Sequence, residues 1–267
     1  VKIKVYILTW QDSEALNKNL FSLFQGFNLL QYGVEIHVNI INNHTNFSID
    51  PRYENHVNVI HNRATPDFAT AMIARMWNTA LIHGFQDLNN PDADIVVTAQ
   101  DDTVWNHDWI PNLLKVMEKY TFYADDAGDM VCAYKPEAVK EIGLWDERFH
   151  YGFGEGDYFL RAIRWNRNKS SINDHAHGRV WNKTLHLAQR PEPDSNRYSE
   201  QNRSHQFRAL SWEMWLSKWP QFLEGNWPEN VQYYINIQEV PKQYILYPYF
   251  ELSVNNLRQK GYIAPDL

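Results

Sequence analysis

The stretch Asp94-Ile-Val-Val-Thr-Ala-Gln-Asp-Asp102 decides how the rest of the chain is read. Its run Ile95–Ala99 is short, apolar and rich in β-branched residues, the composition of a strand buried on both faces of a parallel sheet. Gln100, Asp101 and Asp102 are polar and close the run. In open α/β sheets, ligands bind in the crevice outside the carboxyl ends of the strands. Two adjacent carboxylates at such an end are expensive unless they face solvent, a cation or hydrogen-bond donors. A hard divalent cation is a natural partner, because oxygen ligands suit Mg2+ and Mn2+. The other reading is a capped turn leading into Asn106-His107-Asp108-Trp109.

Working outward, strands alternate with helices. Val1–Thr9 reads as a strand, and Asp12 or Ser13 caps a helix continued by Leu16, Leu20, Leu23, Phe24 and Phe27 at helical spacing. Val34–Ile41 is a second strand, followed by the polar loop Asn42-Asn43-His44-Thr45-Asn46, and Val57–Ile60 a third. Phe68–Gly84 and Trp109–Tyr120 are helical, Met130–Tyr134 is a strand and Pro136–Ile142 a short helix. The pattern predicts an α/β fold with a mainly parallel central sheet and helices on both faces. The character changes at Arg190-Pro-Glu-Pro-Asp-Ser-Asn196. The chain therefore divides into residues 1–190 and an aromatic-rich extension, 191–267, which carries Trp212, Trp215, Trp219 and Trp227 and is expected to pack on the first unit. Ser211–Trp219 in it reads as a helix with a Trp stripe.

Composition removes several classes. Of 267 residues, 25 are Lys or Arg and 32 Asp or Glu, a net charge of -7, which argues against a general nucleic-acid binder. The single cysteine, Cys132, excludes an internal disulfide and a Cys-rich zinc module. No apolar stretch approaches the roughly 18 residues of a transmembrane helix. The first residues alternate like a strand and lack a signal peptide's apolar region, so a cytoplasmic location is expected. Because the chain opens on Val1, it reads as a processed chain or one module of a longer polypeptide.

Two further motifs carry chemistry. Gly143-Leu-Trp-Asp-Glu-Arg-Phe149 leads to Gly152, Gly154 and Gly156, which interleave with Glu155 and Asp157 before a helix over Tyr158–Trp165. A carboxylate there fits a general base; the alternative is an N-cap by Asp157 with Glu155 solvated. Asp157 and Arg161, four apart, have the spacing of a helical ion pair. Asp174-His175-Ala176-His177-Gly178 places two histidines on opposite faces of an extended segment, so one of them at most reaches a given metal. A structural or surface role is the alternative for either.

The order of these features resembles nucleotide-sugar-dependent glycosyltransferases of the GT-A fold, in particular the family 2-like group, over about residues 2–187. Ile40-Ile41-Asn42-Asn43-His44-Thr45 occupies the place of that family's nucleobase loop, and Arg75-Met76-Trp77-Asn78 resembles its stretch ending in Asn. Gln100-Asp101-Asp102 falls at its Asp-x-Asp motif, and Gly143–Phe149 with Glu155–Arg161 is similar to its Gly-x-Phe-Asp-Glu-x-Phe…Glu-Asp-x-Asp-x-x-x-Arg block. The sequence departs from the pattern in two places: Gln100 replaces the first Asp, and Asn42 replaces an Asp that often reads uracil.

The resemblance implies a GT-A (Rossmann-like) catalytic domain over 1–190, with 191–267 on the acceptor side. The donor is a nucleotide-diphosphate sugar, UDP-linked, contacted by Thr9, Trp10, Asn42, Asn43, Asn78, Gln100 and Asp101. Mn2+ or Mg2+ would be held by Asp102 with His177 or His175. Glu155 would be the base of an inverting transfer to a hydroxyl of a glycan or other acceptor, with Asp157 its alternate. A retaining transferase and a non-catalytic carbohydrate-binding protein are the competing readings.

Overall fold

The structure is a computed structural model. It describes residues 1–10, 12–44, 46–62, 73–125, 130–147, 149, 154–169, 187–189 and 215. Strands β1 (Lys2–Thr9), β2 (Glu35–Asn42), β3 (Val57–His61) and β4 (Ile95–Gln100) alternate with helices α1 (Ser13–Gln25) and α2 (Ile73–Phe85). There follow β5 (Val104–Trp105), α3 (Trp109–Lys119), β6 (Phe122–Ala124), β7 (Val131–Tyr134), α4 (Pro136–Ile142), α5 (Gly154–Lys169) and β8 (Ala188–Gln189). Six strands form one sheet in the order β3-β2-β1-β4-β7-β6. The first four are mutually parallel, while β7 runs antiparallel to both β4 and β6. The expected parallel sheet thus carries an antiparallel edge. β5 and β8 form a separate two-stranded ribbon.

The alternation along β1 explains the layers. Ile3, Val5 and Ile7 point to one face, where they join Leu16, Leu20 and Leu23 of α1 and Trp109, Ile110 and Leu113 of α3 in one buried cluster. Tyr6 belongs to the opposite cluster, with Trp77, Ala80 and Leu81 of α2, Val139 of α4 and Tyr158 of α5. The sheet therefore lies between two separate cores. Close approach is built in at Gly84, where a Cβ would overlap the Val96 side chain of β4.

Most of the local expectations hold. The Asp12 side chain accepts from Ala15 N at 2.8 Å and starts α1. Pro136 opens α4 in its first turn, where a missing N–H is harmless. The helix expected from Phe68 is observed from Ile73, since residues 63–72 lie outside the described part. α5 starts earlier than expected: Gly154 and Gly156 are in its first turn rather than in a loop, which makes Asp157 an internal helical residue and not an N-cap. The extension 191–267 lies outside the described residues except Trp215, which is buried. No described helix is long and apolar enough to cross a membrane.

Candidate functional site

In this sheet, β2 and β3 lie on one side of β1 and β4 on the other, so the order reverses between β1 and β4. The register pairs Thr9 with Asn42 and Leu8 with Gln100, which brings the carboxyl ends of β1, β2 and β4 together. A ligand crevice is expected at such a switch point. Asp101 spans it. Its Oδ2 accepts from Thr9 Oγ1 at 2.8 Å and from Trp10 N at 3.3 Å, and the residue is buried. Thr9, Trp10 and Asp101 thus form one hydrogen-bonded unit.

Asp102 differs from its neighbour. Its Oδ1 is buried and has no hydrogen-bond partner among the described residues. An acceptor in that condition calls for a donor or a cation. No group of three or more His, Cys, Asp or Glu capable of holding a metal occurs among the described residues. A single carboxylate nevertheless fits the chemistry of Mg2+-type sites, in which one or two carboxylates act together with substrate phosphates. His175 and His177 lie outside the described residues.

The loop that carries Asp102 is held from the α1 side by two residues that sequence reading missed. Asn19 Nδ2 donates to Gln100 O at 2.9 Å, and Asn19 Oδ1 accepts from Trp105 Nε1 at 2.8 Å. Ser22 Oγ accepts from Trp105 N at 3.0 Å. Asn19 and Ser22 are buried on the same face of α1 as Leu16, Leu20 and Leu23. The available signal was polar residues three apart on an otherwise apolar stripe.

At the end of β2, Asn42 Nδ2 donates to His61 Nδ1 at 3.1 Å and Asn42 Oδ1 accepts from His44 N at 3.1 Å. Asn43 is buried; its Nδ2 donates to Thr9 O at 3.2 Å and its Oδ1 accepts from Asn62 Nδ2 at 3.0 Å. His44 meets Trp10 edge to face, with ring centroids 5.8 Å apart. Asn42, Asn43, Thr9 and Trp10 are therefore contiguous.

Asn78 has a different set of partners. It is buried on α2, where its Nδ2 donates to Trp145 O and to Glu147 Oε1, both at 2.9 Å, and its Oδ1 accepts from Trp145 N at 2.8 Å. Arg75 Nε donates to Glu147 Oε2 at 3.0 Å. The Trp145 ring stacks on Tyr158 of α5 at 4.6 Å. Burial pushes the Tyr158 hydroxyl well above its ordinary range, so it serves as a neutral donor, to Gly143 O at 3.1 Å. Asn78 thus positions α5, which carries both base candidates. Glu155 is partly exposed in its first turn, where helix geometry favours a negative side chain. Asp157 is fully buried and takes the Nε of Arg161 at 3.0 Å, while Arg161 Nη1 donates to Ile142 O at 2.7 Å.

No known family profile matches this sequence, and no curated protein matches it. Solved structures do. TarS 1-349 of S. aureus aligns at 12% identity over 61% of this chain and 56% of its own, with a TM-score of 0.42. The mannosyltransferase PcManGT of Pyrobaculum calidifontis, solved with GDP-Man and Mn2+, aligns at 12% identity over 80% of this chain and 64% of its own, with a TM-score of 0.48. A Drosophila β1,4-galactosyltransferase 7 mutant, solved with manganese, UDP-Gal and xylobiose, aligns at 13% identity over 78% of this chain and 79% of its own, TM-score 0.43. The chain spans less than two thirds of the length of the first two.

Proposed function

We propose that this chain is a glycosyltransferase of the GT-A type that moves a sugar from a nucleotide-diphosphate donor, UDP-linked, to a hydroxyl of a glycan or other acceptor. The observation that carries the reading is the buried Oδ1 of Asp102 at the switch point, without a hydrogen-bond partner among the described residues, beside an Asp101 already occupied by Thr9 and Trp10. The division of labour between the two carboxylates supports a donor site: one builds the crevice and the other is left for a ligand. Asp102 would hold Mn2+ or Mg2+, with His175 or His177 completing the set. When bound, such an ion supplies positive charge against the charge that develops on the departing diphosphate. Thr9, Trp10, Asn42 and Asn43 would line the nucleoside side, with Gln100 and Asp101 beside the diphosphate.

Glu155 would take the proton of the acceptor hydroxyl as its oxygen bonds to the anomeric carbon. The bond from that carbon to the β-phosphate oxygen breaks, and its electron pair leaves with the nucleotide, a single displacement with inversion. Supporting Glu155 over Asp157 is accessibility, since the Asp157 carboxylate is buried against Arg161. Glu155→Gln is expected to lower kcat by about 10²–10⁴-fold with little change in donor KM. Asp102→Asn is expected to abolish metal-dependent nucleotide binding. Full turnover in Glu155→Gln, read as nucleotide release with acceptor present, refutes the assignment of the base. Product anomer analysis separates inversion from retention.

A further inference from the structure

We infer that Asp125 is a positioning residue for the Asp102 loop, acting through β8; the inference rests on the donor-site reading above. Asp125 directly follows β6 and is fully buried. Among its partners are two successive backbone amides from far along the chain: Leu187 N and Ala188 N both donate to Asp125 Oδ2 at 3.0 Å. The Tyr123 hydroxyl reaches Oδ1 at 3.4 Å. A carboxylate with no exposure to water is retained only where donors compensate it, and charge-assisted bonds to backbone amides are among the strong ones. This one latches a strand.

The latched strand reaches the site in one step. β8 pairs antiparallel with β5, Val104 opposite Gln189 and Trp105 opposite Ala188, and Asn106 N donates to Leu187 O at 2.9 Å. Two-residue strands do not hold each other unaided, because even longer isolated hairpins are marginal in water. β5 begins two residues after Asp102. Thr103 N donates to Gln100 O at 3.2 Å, closing the turn that contains Asp102. The loop is therefore gripped on one flank by Asn19 and Ser22, and on the other by a ribbon whose outer strand is fastened at Asp125. Loss of the latch removes the ladder partner of Val104 and Trp105, and with it the fixed placement of the Asp102 carboxylate.

The test compares the full chain with Asp125→Ala, Asp125→Ser and Asp125→Asn, using hydrogen exchange and the paramagnetic resonance of Mn2+ titrated in the presence of UDP, with UDP alone as the control, because a one-carboxylate site holds the ion together with phosphates. Asp125→Ala is expected to deprotect the amides of 104–106 and 187–189 while β1, β2 and β4 stay protected. It is also expected to weaken Mn2+ binding by about tenfold, the low end of what losing a group bonded directly to a metal ligand costs, because Asp125 acts one strand further out. Asp125→Ser, whose hydroxyl is too short to reach both amides, serves where the alanine variant does not fold, and the same effects are expected of it. In Asp125→Asn the amide oxygen can accept both N–H groups, so Mn2+ affinity is expected within about threefold of the parent, a rescue that a purely structural charge would not give. Unchanged Mn2+ affinity in a deprotected Ala or Ser variant overturns the positioning role, as does retained protection of 187–189. A parent chain that binds no Mn2+ beyond the UDP control instead overturns the donor-site reading, and the inference with it.

Discussion

Replacing Asp157 with alanine separates stability from catalysis at the start of α5. The side chains of Asp157 and Arg161 are 0% and 4% exposed, and Nε lies 3.0 Å from Oδ2. Removing one partner of such a buried pair is destabilising by about 3–5 kcal/mol, because the other charge stays behind in a dry site. Here the stranded guanidinium keeps its bond to Ile142 O and its place over the Tyr158 ring, 4.9 Å from the centroid, while Nη2 already has no hydrogen-bond partner among the described residues. The low end, about 3 kcal/mol, is therefore expected. For a folded unit of this size the midpoint falls by roughly 2–4 °C per kcal/mol, hence by about 6–12 °C. Urea unfolding of Asp157→Ala, Arg161→Met and the double variant measures the coupling directly, and the double variant should recover most of the loss. Turnover well below the melting range should change less than about threefold in Asp157→Asn, against the 10²-fold or greater loss expected of Glu155→Gln. A loss below about 1 kcal/mol would refute the energetics. A collapse of turnover in Asp157→Asn at an unchanged urea midpoint would transfer the base to Asp157.

Asn19→Ala strips a partner from both Gln100 O and the Trp105 indole, so about 1–3 kcal/mol of stability should be lost in urea unfolding, together with weaker Mn2+-dependent binding of UDP. Burial, and then the Lys4 charge, hold the His83 imidazole below its ordinary 6.5, and its Nδ1 meets the Tyr6 hydroxyl at 2.7 Å. The folded state thus favours neutral His83. This contribution is complete above the unfolded value of 6.5 and is lost as pH falls below it. Thermal midpoints measured between pH 8 and pH 5 should fall less steeply in His83→Gln than in the parent chain. Gly84→Ala should cost about 1–3 kcal/mol by overpacking against Val96, and Val96→Ala in the same chain should relieve part of it, as read by the urea midpoint.

What could be read from the sequence was what local pattern specifies. The β-branched run at Ile95, the Asp12 cap, Pro136 at a helix start and the i,i+4 spacing of Asp157 and Arg161 each have their physical cause within a few residues. Adjacent Asp101 and Asp102 were expected just past the end of the Ile95 strand, where they lie, but their opposite conditions depend on Thr9 and Trp10 some ninety positions away. Asn78 was read from its place in a motif, and the motif carries no sign of the bonds its amide makes to Trp145, 67 residues on. β6 has three residues, and β5 and β8 two each, too short for any periodicity to emerge. Three glycines within five positions suggested a loop; in α5 two of them are absorbed into a first turn.

The sheet with a core on each face has an evolutionary corollary. The Asp102 loop is fastened to α1, whose apolar side chains belong to one core, while Glu155 sits on α5, packed into the other. Substitutions buried in different cores, without shared partners, combine almost additively. Under the proposed function, a lineage could drift at positions of the α4–α5 layer that share no partner with Asn62, which links Asn43 to Met76 of α2, resizing whatever meets Glu155 without retuning the Asp102 loop. On that reading, a library confined to those positions should yield altered acceptor preference at constant donor affinity far more often than the reverse.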